Sequence, residues 1–289
     1  MRSFKITLIA GAMLAAAFTS AQAADLGPIM QATPVQPVQV EPASSGWYLR
    51  GDIGVGLQQF DNFNHTQTNQ AFVWPSSWQI VQQTFGDTTF FGVGVGYQFN
   101  SWLRADATAE YRNTANFKVI GSYNNFCPNG SNCFDVYEGQ HTAMVFMANA
   151  YVDLGTWFCL TPFVGVGAGM ARHSFTGVTD VGYIADGTTG FGYSGADSSE
   201  WKFAWALHAG VAYNVSNNLK LEFAYRYINF GNVDTGVIDC THGGCAQNLG
   251  PDAYYTFTNL TSQDFKLGLR WMLVPDQAPP SYPPLMRKG

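Results

Sequence analysis

Between Gly46 and Leu273 the chain keeps returning to one pattern, apolar and polar residues alternating with a period of two. Only an extended strand sends successive side chains to opposite faces, so the pattern predicts β-structure throughout. In the 201–215 segment, Trp201, Phe203, Trp205, Leu207, Val211, Tyr213 and Val215 share one face, and Lys202, Ala204, His208, Gly210 and Asn214 the other. Segments 47–57, 89–99, 103–112, 142–153, 160–171, 219–227 and 264–273 repeat the pattern, which makes eight expected strands.

The composition of the two faces decides between a water-soluble sandwich and a membrane barrel. In a sandwich the polar face meets water. Here that face mixes charges of both signs with glycines (Gly92, Gly94 and Gly96; Gly165, Gly167 and Gly169), which suits a narrow filled lumen behind a lipid-facing wall. The chain has 31 Gly, 15% aromatic and only 12% charged residues. A mean hydropathy of −0.05 is compatible with spanning strands, because only alternate residues touch lipid. Connections around residues 100–101, 154–159 and 216–218 are short, whereas those around 58–87, 113–140, 174–199 and 231–260 are long. The expected fold is all-β: an eight-stranded antiparallel up-and-down transmembrane β-barrel with short periplasmic turns and four long extracellular loops.

The ends read as processing and tether segments. Arg2 and Lys5, the apolar stretch 6–18 and Ala21-Gln22-Ala23 form a cleavable signal peptide over 1–23. Its apolar run falls short of the ~20 residues a spanning helix needs. Residues 24–45 and 274–289 are proline-rich and read as a periplasmic tether and a C-terminal tail around the 46–273 barrel. Between Gly46 and Leu273 only Pro162 falls inside an expected strand, near its start. The net charge of −6 becomes about −8 once Arg2 and Lys5 leave with the signal, which excludes nucleic acid as a partner.

Short motifs carry a family resemblance. Trp47-Tyr48-Leu49-Arg50-Gly51-Asp52, Tyr225-Arg226-Tyr227 and the amphipathic closing strand resemble the OmpA-like eight-stranded outer-membrane barrels. The proline-rich start after an Ala-Asp terminus is similar to the alphaproteobacterial surface-antigen and haemin-binding branch, within the porin family. Lys266, Gly268, Trp271 and Leu273 resemble the signal read by the barrel-assembly machinery, although this chain continues to Gly289 instead of ending there. The resemblance implies a bacterial outer-membrane location, with outer-membrane lipid and lipopolysaccharide as surroundings and haem or a host ligand as loop partners.

Four groups of residues bear on chemistry. Arg50, Asp52, Arg104, Asp106, Glu110, Arg112, Lys202, Lys220, Glu222, Arg226, Asp264, Lys266 and Arg270 fall on the inward face, where they read as a lumen salt-bridge network in preference to a charge-selective pore. Cys127 with Cys133, and Cys240 with Cys245, are disulfide candidates in loops, and Cys159 is left over in a periplasmic turn. His65, His173 and His242 read as loop residues near Phe60, Phe63, Trp74 and Trp78, a setting that could offer an axial ligand to haem. Arg172-His173-Ser174 is the one pairing that tempts a hydrolase reading, and neighbours in a strand point apart.

These residues give no catalytic constellation, no metal site and no resident cofactor. The expected function is a non-enzymatic envelope barrel with a structural and surface-interaction role. The alternatives are a small passive porin and a haem-binding surface receptor.

Overall fold

The computed structural model describes residues 45–66, 77–127, 131–184, 189–240 and 253–273. The signal 1–23, nearly all of the tether and the tail 274–289 lie outside them. The described residues form twelve strands: β1 (Gly46–Gln59), β2 (Asn62–Thr66), β3 (Gln79–Phe85), β4 (Thr88–Gln98), β5 (Leu103–Cys127), β6 (Ser131–Asp153), β7 (Leu160–Ile184), β8 (Thr189–Gly195), β9 (Ser198–Asn214), β10 (Leu219–Asp234), β11 (Ile238–Cys240) and β12 (Tyr254–Met272).

Eight of them make a closed ring. Antiparallel pairing runs from β1 to β4, β5, β6 and β7. It continues through β9, β10 and β12 and returns to β1. Closure leaves no unpaired sheet edge facing lipid, as a spanning sheet requires. The outer face of the lower ring is apolar and exposed, for example at Leu49, Ile53, Phe91, Val93, Phe203, Leu207, Leu267 and Leu269. So continuous an apolar belt is a lipid contact surface. Both barrel ends meet at the short-turn rim, where the Leu273 amide donates to the Trp47 carbonyl.

Above the belt the structure departs from the expected loops. Segments 113–127, 131–140 and 174–184 continue as strand, so that β5, β6 and β7 run for 25, 23 and 25 residues. A crossing takes ~9–11. β2 adds to β12, β3 to β5, β8 to β7 and β11 to β8 in the same extracellular extension.

Single-residue irregularities explain why alternation concealed this. One extra residue at Asn113–Thr114 moves the inward set of β5 from Arg104, Asp106, Glu110 and Arg112 to Ala115, Phe117, Val119 and Tyr123. Gly177, at a φ of 60°, does the same in β7, and further shifts occur at Gly231 (φ 69°) and Asn259 (φ 53°). Such bulges flip every later side chain to the other face. The lower tube is therefore apolar outside and charged inside, and the extension is polar outside with an aromatic core.

Candidate functional site: the filled interior and its extracellular extension

Two ionic centres fill the lower lumen. In the first, Arg50 on β1 reaches Asp106 on β5 at 2.7 Å and Asp52 at 2.8 Å. Arg270 lies 2.9 Å from Glu222, and Arg104 lies 3.1 Å from Asp153 and 3.5 Å from Glu222. Lys266 stands 3.5 Å from Asp52. In the second, Asp264 on β12 receives Arg226 at 2.6 Å and Arg112 at 2.8 Å, and Glu110 receives the same two at 2.7 and 3.2 Å. Charges buried this deeply persist only when paired.

Aromatic rings and glycines complete the packing. The Arg112 and Arg226 guanidiniums lie 4.9 and 5.2 Å from the centre of the Phe90 ring, and Arg104 lies 4.1 Å from that of Tyr151. These are cation–π distances. Room comes from the absence of side chains opposite: a Cβ on Gly54 would lie 2.5 Å from Phe90, and one on Gly96 would overlap Tyr48. Lys202 stands apart from both centres, half-buried near the start of the extension, where it pairs with Asp234 at 2.8 Å and Glu200 at 2.9 Å. Sequence grouping also omitted Asp153, Phe90 and Tyr151, which the inward parity of their strands could have supplied.

The extension has its own layers. Phe60, Phe63, Phe85, Phe117, Phe175, Phe230 and Phe257 form an aromatic plug over the second ionic centre. At its base the rings of His141 and His173 stack, with Nε2 of one 2.9 Å from Nδ1 of the other. Above the plug, Tyr123 and Tyr137 donate to one oxygen of Asp135, and Tyr255 donates to Asp180 at 2.5 Å. The remaining oxygen of each carboxylate is buried without a hydrogen bond. Burial pushes the Asp135 carboxyl up to about 6 against the pull of the two phenols, and it raises Asp180 as well, with the Asp135 charge adding to it.

The histidine expectations need correction. His65 is a half-buried member of β2, its Nε2 2.7 Å from the Tyr137 hydroxyl and its ring edge-on to Trp78 and Tyr255. Burial holds its imidazole down to about 3, hence neutral. His173 faces inward from β7, while Arg172 donates outward to Ser199 at 2.9 Å. His173 and Ser174 therefore point apart and form no proton-transfer pair. His242 and Trp74 lie outside the described residues.

The cysteines and the closing strand are placed as follows. Cys133 is disulfide-bonded and Cys159 is a free, exposed thiol. Cys245 and the side chains of Cys127 and Cys240 lie outside the described residues. On β12, Lys266 points into the lumen and Gly268 faces Asp52, with Trp271 on the lipid side and Leu273 exposed just beyond the strand. Among the described residues no group of three or more His, Cys, Asp or Glu could hold a metal ion.

Comparison with known proteins agrees with this architecture. An uncharacterised protein of Brucella suis biovar 1 is 35% identical over 237 residues, covering 76% of this chain and 81% of that protein. The outer membrane protein PagN of Salmonella typhimurium is 25% identical, covering 79% and 90%. A Rickettsia bellii protein whose name marks it as a candidate adhesin is 26% identical, covering 79% and 88%. The model of the outer membrane protein β-barrel domain matches residues 10–272. The chain is an integral outer-membrane protein and belongs to the outer membrane protein β-barrel domain family.

Proposed function

We propose that this barrel is a non-conducting platform, lifting a rigid β-extension clear of the outer membrane to contact host or environmental surfaces. One observation carries the reading: β5, β6 and β7 run without a break from the lipid belt into the extension, where their outer face turns polar at Asn116, Lys118, Glu138 and Gln140. A continuous ladder transmits position, so the outer ends of β5, β6 and β7 stand on a stiff stem. PagN and the candidate adhesin are outer-membrane and adhesion-named relatives, which supports a surface-contact role.

Two ionic centres and an aromatic plug stacked along one axis favour a structural interior over a solute path. The lumen charges are proposed to hold the barrel together. Residues 1–23 are proposed to direct export, and Lys266, Gly268, Trp271 and Leu273 to be read during insertion. Of the three histidines considered for haem, His173 is buried and His65 is half-buried with its Nε2 held 2.7 Å from the Tyr137 hydroxyl, which leaves His242 to that reading.

Adhesion of whole cells tests the reading. Cells displaying the protein should bind host-cell monolayers or matrix proteins better than cells displaying a variant with 67–76 and 241–250 replaced by Gly-Ser linkers. Equal binding at equal surface abundance overturns it. Planar-bilayer recording of refolded protein should give no discrete openings, and stepwise conductance would return the porin.

A further inference from the structure

The turn between β6 and β7 is unlike the other two periplasmic turns. Those two connections, Phe99-Asn100-Ser101-Trp102 and Val215-Ser216-Asn217-Asn218, carry polar residues at the tip and apolar ones only at the flanks, whereas this one, Leu154-Gly155-Thr156-Trp157-Phe158-Cys159, places Trp157 and Phe158 at the tip itself. It folds as a tight hairpin tip, with the Trp157 amide donating to the Leu160 carbonyl at 2.8 Å and the Leu160 amide returning to Trp157 at 2.9 Å. Phe158 and Cys159 at its apex have φ values of 49° and 67°. Two positive φ values in a row define a turn for which Asn-Gly is the unstrained choice. A phenylalanine there is a backbone outlier, and it places a ring that is 100% exposed at the extremity of the fold.

Register shows which way the tip faces. Leu160 pairs with Tyr213, and both are exposed on the lipid side of the wall. Directly opposed residues share a face, so Trp157, opposite Leu160, also lies on the lipid side, and it is 58% exposed. The surface continues the lower aromatic girdle of Trp47, Phe99, Trp102 and Trp271. The tip reaches only two or three residues past the strand ends. At ~3.3 Å per residue and the usual tilt, this stays within the headgroup zone of a bilayer. Tryptophan, with an apolar body and a polar N–H, is favoured at that depth, and aromatic residues form the girdles of spanning barrels there.

We propose that residues 154–160 are a lipid-inserting finger that seats Trp157 and Phe158 among the phospholipid headgroups of the periplasmic leaflet. The strained apex is then held open by the lipid that receives it. The finger pins the barrel at the β6–β7 side of its periplasmic rim, and it carries the Cys159 thiol into the bilayer surface, away from periplasmic oxidants.

Collision spectroscopy in lipid nanodiscs of phosphatidylethanolamine and phosphatidylglycerol tests this. A nitroxide on Cys159 is compared with one on Asn217→Cys in a Cys159→Ser background, at the polar turn of the same rim. The finger predicts that the Cys159 label meets a water-soluble nickel complex several-fold less often than the Asn217→Cys label, and meets dissolved oxygen more often. In Trp157→Ser/Phe158→Ser protein that shielding should be lost, while the gel-mobility signature of the folded barrel stays. Equal nickel accessibility at the two sites overturns the proposal, and so does shielding that survives the double substitution. If a periplasmic protein is the true occupant of this surface, the purified protein gives the first of these results.

Discussion

The Tyr255 hydroxyl on β12 donates to a carboxylate oxygen of Asp180 on β7 at 2.5 Å, inside the extracellular extension. Their strands are not neighbours in the ring, with β9 and β10 between them, so this bond ties separate parts of the wall together above the membrane. It also leaves Asp180 buried beside a second acid, Asp135, with tyrosine hydroxyls donating to both.

That pair gives the extension a defined pH dependence. Both carboxyls titrate higher in the folded chain than the ~3.9 of an unfolded aspartate, Asp135 at about 6. The folded state therefore binds more protons than the unfolded state in the window above ~4, so stability falls as pH rises through it and levels off above the folded values. Hydrogen-exchange protection of residues 133–139 and 178–183, corrected for intrinsic rates, should be greater at pH 5 than at pH 7.5. Asp180→Asn keeps an acceptor for Tyr255 and should flatten the difference.

The second ionic centre should be the most sensitive point of the lower tube. Asp264 neutralises Arg112 and Arg226 together. Asp264→Ala leaves two buried guanidiniums short of a partner, and removing one side of a buried pair costs about 3–5 kcal/mol. Urea titration of the refolded barrel should show a loss of this order. A loss under 1 kcal/mol would mean that water enters this part of the lumen.

Gly177 should matter to the extension and not to the barrel. A side chain there meets nothing within 4 Å, yet its φ of 60° is one that β-branched residues avoid. Gly177→Val should cost about 1–2 kcal/mol locally. It should raise protease cleavage between residues 178 and 195 while leaving the heat-modifiable mobility of the barrel unchanged.

Cys133 is bonded, and register sets Tyr123 opposite it and Cys127 opposite Ser131 on the same hairpin. Alkylation followed by mass spectrometry without reductant should recover a peptide joining Cys127 to Cys133 and an alkylated Cys159. A Cys133 peptide joined to Cys240 or Cys245 would refute that pairing.

How far the sequence could be read follows from the same bulges. Alternation carries from Leu103 to Arg112 and gives strand, face and the parity of Arg104, Asp106, Glu110 and Arg112. It fails at Asn113–Thr114, where one extra residue reverses the parity, so Phe117 and Val119 look like the outward residues of a loop. His65 was illegible for a related reason. Its five-residue strand is too short to show a period, and it exists because β12 offers an edge above the membrane. The partners inside the lumen are beyond a one-dimensional pattern. Arg226 and Glu110 are 116 residues apart and meet only because the ring closes.

The one-residue insertions at Asn113–Thr114, Gly177, Gly231 and Asn259 act as a depth gauge. Below them these four strands show oil-compatible residues to the outside, and above them they show residues that need water. Sliding the tube outward would wet the belt of Phe91 and Phe203, and sliding it inward would drag Lys118 and Glu138 into hydrocarbon. The immersion of the protein is thus written into four backbone positions, and a bilayer of different thickness would have to bend to meet them.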